Sequence, residues 1–185
     1  MAKVGMDMGW PLNGGQMHFY GGLKPVIYSN IDRHKTIDAI FDSSNTDKLA
    51  LLYEARPGQG HWILLMRNKG KNTIYFFDSY GESKPDDLID NMSKHMYEKK
   101  HLVALMLNSD YKIDYNNHKY QRYMPSIQTC GRHCIVRGRY PQLTTDEYFQ
   151  MMKYVRDETK LSFDRIVTLL TNDMRNYICV NKTTS

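Results

Sequence analysis

A cysteine, a histidine and an aspartate can together break an acyl bond, and this chain carries each of them beside residues that favour that chemistry. A thiol attacks a carbonyl only as its thiolate. Cys130 follows Thr129, a residue type that caps helix N-termini, so a helix starting there sets backbone N–H groups and the positive end of its dipole beside the sulfur. Arg132 adds a cation nearby, and Gly131 removes a side chain next to the sulfur, which lets a substrate carbonyl approach and leaves backbone amides free for an oxyanion. A lone cysteine is more often buried and inert, and Cys-Gly by itself does not decide between the two.

The histidine and the acid come from a predicted hairpin. Two apolar runs, residues 61–66 and 73–78, flank the polar stretch 67–72. A turn centred between Lys69 and Gly70 makes His61 and Asp78 direct cross-strand neighbours, their Cβ atoms about 5 Å apart. The imidazole then gives one N–H to the carboxylate and keeps the other nitrogen for the thiol, an arrangement of nucleophile, base and orienting acid. The alternative is an incidental His/Asp pair at a strand end. A rival chemistry is zinc binding, because Cys130, His133 and Cys134 at i, i+3 and i+4 share one helical face. His61 could supply a fourth ligand, yet no second Cys/His cluster accompanies them, and no metal or other cofactor is expected.

These residues need a scaffold, and the pattern of apolar positions supplies one. Both hairpin runs are apolar on both faces, which suits strands covered on each side and places their sheet centrally. Residues 48–53 read as a buried strand leading into the turn Arg56-Pro57-Gly58-Gln59-Gly60. Residues 86–99 read as a polar helix and 102–107 as a further apolar strand, whereas 111–124 has no clear period. The nucleophile's helix must stop before Pro141. Thr144-Thr145-Asp146-Glu147 supplies a capping box for a helix reaching about Lys160, and Ser162 caps a last helix with Phe163, Val167, Leu170 and Met174 on one face. Residues 1–24, with two glycine pairs and no period, read as loop or a loosely attached arm of a single domain spanning 1–185.

In chain order these segments resemble the adenain-like and SUMO-protease-like cysteine peptidases, among them maturation proteases of adenoviruses, virophages, Polinton-like elements and large viruses. The resemblance covers about residues 48–140. It rests on Gly60-His61-Trp62 before an apolar strand, Phe77-Asp78-Ser79-Tyr80-Gly81 after the next one, and a glutamine ahead of Thr129-Cys130-Gly131-Arg132-His133-Cys134. It implies an α+β, papain-like fold in permuted order, with a small mixed sheet flanked by helices, and a catalytic series His61, Asp78, Gln121, Cys130. The glutamine would help form the oxyanion hole. Gln121 stands nine residues before Cys130 and is preferred to Gln128, two before it, whose side chain would have to fold back sharply. Trp62 resembles the tryptophan that covers a narrow substrate groove, with simple core packing as the alternative, and Gly131 joins it as a substrate-side residue.

The implied activity is that of a cysteine endopeptidase cleaving viral capsid or other structural precursors at glycine-containing sites. The alternatives are a SUMO or ubiquitin-like deconjugase, a same-fold acetyltransferase or a non-enzymatic binding domain. Composition fits without deciding among them. With 185 residues, 41% hydrophobic and 24% charged, the chain can bury a core without metals or disulfides, and three cysteines do not make a secreted framework. No apolar run is long enough to span a bilayer, so an intracellular place, in host cytoplasm, viral factory or virion, is expected. The net charge of +5 permits non-specific nucleic-acid binding through Lys94, Lys99, Lys100, Arg132, Arg137 and Arg139, although such a charge is more often a solvated surface.

Overall fold

The computed structural model describes residues 8–81 and 101–172. Its centre is a five-stranded mixed sheet in the order β1-β2-β3-β4-β5, comprising β1 (Lys24–Ile27), β2 (Lys48–Arg56), β3 (Gln59–Asn68), β4 (Thr73–Phe77) and β5 (Lys112–Tyr115). The outer pairs β1/β2 and β4/β5 are parallel, and β2, β3 and β4 form an antiparallel meander.

Strand β3 shows why both faces of the hairpin read as apolar. Trp62, Leu64 and Met66 point into one core with Phe77 of β4, whereas Ile63 and Leu65 point into a second core with Phe76. Helices α1 (Gly14–Gly21), α4 (Cys130–Gly138), α5 (Thr145–Thr159) and α6 (Phe163–Leu170) accompany the first core. Helices α2 (Ile37–Ser43) and α3 (His101–Leu107), with the 3-10 turn Tyr28–Arg33, close the second. The chain is thus α+β, with a mixed sheet flanked by helices, as expected.

Four local readings are corrected. The β3/β4 register pairs Leu64 with Phe77, so the turn is centred between Gly70 and Lys71 and the partner of Asp78 is not His61. A 3-10 turn over Lys69–Lys71, with Asn72 in the left-handed region at φ 47°, takes up the connection. Residues 102–107 form helix α3 rather than a strand: Leu102, Leu105 and Met106, at helical spacing, are buried, while Leu107 is 71% exposed. A short apolar run fits either period, and here the polar positions between the buried ones were too few to separate them.

The N-terminal segment is not loose where it is described. Asn13 and Gln16 form a reciprocal capping box that starts α1, and Leu12 and Met17 are buried in the first core. Thr129 precedes α4 without capping it, since its hydroxyl turns away to the Asp164 carboxylate. The capping box of Thr144 and Glu147 and the Ser162 cap form as expected. The helix expected over 86–99, and Met174 of the last helix, lie outside the described residues.

Candidate active site

Three chain segments deliver the chemically capable side chains to one end of the sheet. The β2/β3 hairpin ends in Gly60, where an added Cβ would lie 1.9 Å from the Tyr53 carbonyl oxygen, so only glycine lets the strands close before His61. Strand β4 stops at Phe77, and the turn Asp78-Ser79-Tyr80-Gly81 follows. Gly81 sits at φ +74°, and a Cβ there would press to 2.7 Å on the His118 backbone. Helix α4 packs on β3 and begins at Cys130.

His61 Nε2 lies 2.5 Å from Asp78 Oδ1, with both side chains buried. The pair forms despite the shifted register because Asp78 has left the strand. Its carbonyl accepts from the Asn116 amide and its carboxylate from the Tyr80 N–H at 3.1 Å, which turns the side chain back towards the histidine. The Tyr80 ring stacks on the imidazole at 4.5 Å and 19°. His61 also hydrogen-bonds Cys130. With Nε2 on the acid, Nδ1 is the nitrogen left for the thiol.

The electrostatics follow from this contact. Burial alone would push His61 down, but hydrogen bonds and charge from Asp78 and Cys130 outweigh it and raise its pKa to about 10. Burial would push the Cys130 thiol up, yet His61 and hydrogen bonds from the Trp62 and Gly131 backbones hold it below the ordinary 9.0. The two shifts have one cause, since a charged imidazole and a thiolate each favour the charged form of the other. Cys134, four residues on, donates to the Trp62 carbonyl at 3.5 Å and is pushed well above the ordinary range by burial and by the neighbouring Cys130. It is an inert neighbour.

Cys130, His61, Trp62, Gln121 and Gln128 line one cleft of about 850 Å³. Gln121 is 1% exposed, and its Nε2 donates to the Ile127 carbonyl at 3.2 Å and to the Tyr80 hydroxyl at 3.3 Å. Gln128 is exposed, and its backbone N–H is held by the Met8 carbonyl at 2.8 Å. Trp62 lies between the two expected roles: it lines the cleft, yet it is 6% exposed and gives its indole N–H to Leu12 O at 2.8 Å. Gly131 does not line the cleft. The space a Cβ would take there is filled by Met17 Sδ at 3.0 Å and Leu12 Cβ at 3.2 Å, so its small size admits α1, and its backbone serves the sulfur.

Two expected cations are placed elsewhere. Arg132 is 5% exposed and donates to Thr171 Oγ1 at 2.7 Å, away from the sulfur. Arg137 is fully buried, donates to the Tyr140 and Leu143 carbonyls, and lies over the Tyr75 and Tyr148 rings. Neither is available to a nucleic-acid backbone, whereas Arg139 is exposed and Lys94, Lys99 and Lys100 lie outside the described residues. The shared helical face of Cys130, His133 and Cys134 does not make a zinc site. His133 Nε2 meets Asp164 at 3.2 Å, Cys134 meets Trp62, and among the described residues no three His, Cys, Asp or Glu side chains are placed to hold a metal ion.

No family model matches the chain. The chain is 32% identical over 154 residues to uncharacterized protein V9 of Sputnik virophage, an alignment covering 79% of this chain and 84% of that protein. The chain belongs to the V9 family. It is therefore related to a viral protein, and the alignment spans most of both members of the family. Among the described residues, no helix is long and apolar enough to cross a membrane.

Reading the residues alone missed Ser79, Tyr80, Asn116 and Asp164, each of which holds a part of this V9-family site. Ser79 and Tyr80 stood inside a quoted segment, and the signal for them was the Gly81 turn, which aims three consecutive side chains at His61 and Gln121. Asn116 and Asp164 had no local signal. They act across 38 and 35 residues, on the Asp78 carbonyl and the Thr129 hydroxyl.

Proposed function

We propose that this V9-family protein is a papain-like cysteine endopeptidase of the adenain and SUMO-protease type, acting on viral structural precursors. The observation that carries the reading is the buried His61–Asp78 pair at 2.5 Å, hydrogen-bonded onward to a Cys130 thiol of lowered pKa in the wall of an open cleft. A structural cysteine has no use for an oriented base, and Cys134 on the same helix shows what such a cysteine looks like.

In this mechanism the Cys130 thiolate attacks the substrate carbonyl carbon, and the π electrons move onto oxygen. The Cys130 backbone N–H at the head of α4, not capped by Thr129, faces the oxyanion, and the Gln121 amide supports that side of the cleft through its hydrogen bond to the Tyr80 hydroxyl. The tetrahedral species collapses as the C–N bond breaks, with His61 delivering its proton to the leaving amine. A thioester on Cys130 remains. His61 then takes a proton from water, whose oxygen attacks the thioester carbonyl and releases the acid and the thiolate.

The test is to incubate the purified protein with virophage structural proteins, and in parallel with SUMO and ubiquitin precursors, and to map the cleaved bonds. Cleavage of a structural protein, lost with Cys130→Ala, supports the reading. Cleavage confined to the SUMO or ubiquitin precursors makes the protein a deconjugase, and no cleavage of any of them refutes peptidase activity.

A further inference from the structure

Tyr80 sits at the end of a hydrogen-bond chain whose direction can be fixed atom by atom. The Ile127 carbonyl can only accept, so the Gln121 atom 3.2 Å from it is the nitrogen. The Gln121 oxygen therefore lies on the other side, where it accepts from the Ser79 hydroxyl at 2.8 Å. The second N–H of Gln121 then reaches the Tyr80 hydroxyl, at 3.3 Å, as a donor. The Tyr80 oxygen is thus an acceptor in this contact, and its own proton has no acceptor among the described residues. Tyr80 lines the cleft, half-buried, with its ring stacked on His61 and its hydroxyl near enough to Cys130 to feel the sulfur's charge without bonding to it.

We propose that Tyr80 is a catalytic residue whose O–H donates a hydrogen bond to the oxyanion formed on the substrate when Cys130 attacks. The proposal rests on the peptidase reading above. Both N–H groups of Gln121 are engaged within the protein, so the glutamine orients and polarises the phenol, and the phenol carries the chain into the cleft. No proton is transferred. Burial, with the charges of Cys130 and Asp78, raises the phenol far above its ordinary range, so it stays a donor beside a developing negative charge. Ser79, one residue from the acid, sets the orientation of the glutamine, so a single turn positions the base and the oxyanion donors together.

Tyr80→Phe keeps the ring on His61 and removes only the hydroxyl. On a peptide spanning a mapped cleavage site, kcat should fall about 100-fold with KM nearly unchanged. A peptide aldehyde of the same sequence, which forms a tetrahedral adduct with a thiolate, should lose affinity by the same factor, while the matching peptide alcohol binds as before. The pH profile of Cys130 alkylation by iodoacetamide should stay in place, since the thiolate is held by His61. Unchanged kcat in Tyr80→Phe, or a shifted alkylation profile, overturns the role. If the wild-type protein cleaves no peptide although Cys130 is alkylated, the peptidase reading itself fails, and this assignment with it.

Discussion

Among the described residues there are two buried His–Asp pairs, and their opposite behaviour shows what makes one of them reactive. His61 with Asp78 sits at the cleft, and His133, on the helix that carries Cys130, pairs with Asp164 of α6, both pairs nearly inaccessible to water. Burial depresses both histidines. Only His61 ends above its ordinary value, because a second anion, the Cys130 thiolate, adds to the carboxylate. At the inner pair burial wins. His133 stays below 6.5, its Nδ1 has no partner among the described residues, and the Asp164 charge is already shared with the Thr129 hydroxyl and the Arg122 N–H. Burial would raise Asp164, but these hydrogen bonds, His133 first, hold it below the usual carboxylate range. The outer pair is built to carry charge, whereas the inner one ties the 121–129 loop and the head of α4 to α6.

The comparison breaks most sharply if the outer pair can be removed without loss of activity. Cys130→Ala and His61→Ala should reduce peptide cleavage about 10⁴-fold or more, and Asp78→Asn about 10³-fold, while Cys134→Ala keeps most of it. Steady-state kinetics with circular dichroism on each variant checks this, and an active Asp78→Asn would end the orienting role. His61→Ala should also move the alkylation profile of Cys130 towards and above pH 9, since the group that lowers the thiol is gone and burial, which raises it, remains.

Next in size is the oxyanion side. Gln121→Ala should lower kcat about 100-fold, because the amide holds the Tyr80 hydroxyl in place, and Gln128→Ala should do little. The exposed Gln128 side chain is not tied to the Tyr80 network. A reversal of these two results would place the oxyanion donor two residues from the nucleophile.

How much of this could be read from the residues differs by distance along the chain. His61, Asp78 and Cys130 were legible because each stands at a boundary that local rules mark: a glycine turn before a strand, the polar end of an apolar run, a cap residue before a helix. The register was not legible, since a two-residue slip leaves every side chain on the same face and the polar turn fits either centre. Helix α3 was misread because six apolar residues suit both periods. The N-terminal helix was missed because its glycines signal turns, whereas in the structure Gly14 and Gly21 admit Pro25 and Ile135 at close range. Arg132 and Arg137 looked like surface charge because nothing local tells a buried arginine from an exposed one. Their partners come from Thr171, just past the end of α6, and from the α4/α5 connection.

Turning to the inner pair, Asp164→Asn should cost about 2 kcal/mol of stability, because hydrogen bonds to a buried carboxylate are worth more than neutral ones and the His133 N–H and Thr129 O–H lose their charged acceptor. Chemical denaturation measures it. Cys130 alkylation in the still-folded variant should keep its pH profile, because Asp164 does not touch the His61 network. A profile displaced as far as that of His61→Ala would make the two pairs one unit.

The smallest effect isolates the inner histidine by its pH dependence. A histidine whose folded pKa lies below 6.5 takes up its proton more readily when the chain unfolds, so its contribution to stability is present above pH 6.5 and is lost as pH falls towards the folded value. His61 slopes the other way, and it does so equally in wild type and in a His133 variant, so it cancels when the two are compared. Its folded pKa lies above the unfolded one, so its contribution is complete below pH 6.5 and is lost only as pH rises towards 10. Asp164, held below 3.8, loses its contribution only at still lower pH. In His133→Gln, which keeps a donor for Asp164 but cannot titrate, the stability difference from wild type should therefore shrink between pH 7 and pH 5.5. Tyr120, whose ring lies 6.0 Å from His133, stays protonated throughout because burial raises it, so it adds no slope. Denaturation midpoints at the two pH values decide the matter: a constant difference would mean that folding leaves the His133 pKa where it is in the unfolded chain, and a difference that grows towards pH 5.5 would mean that His133 is charged in the folded protein like His61.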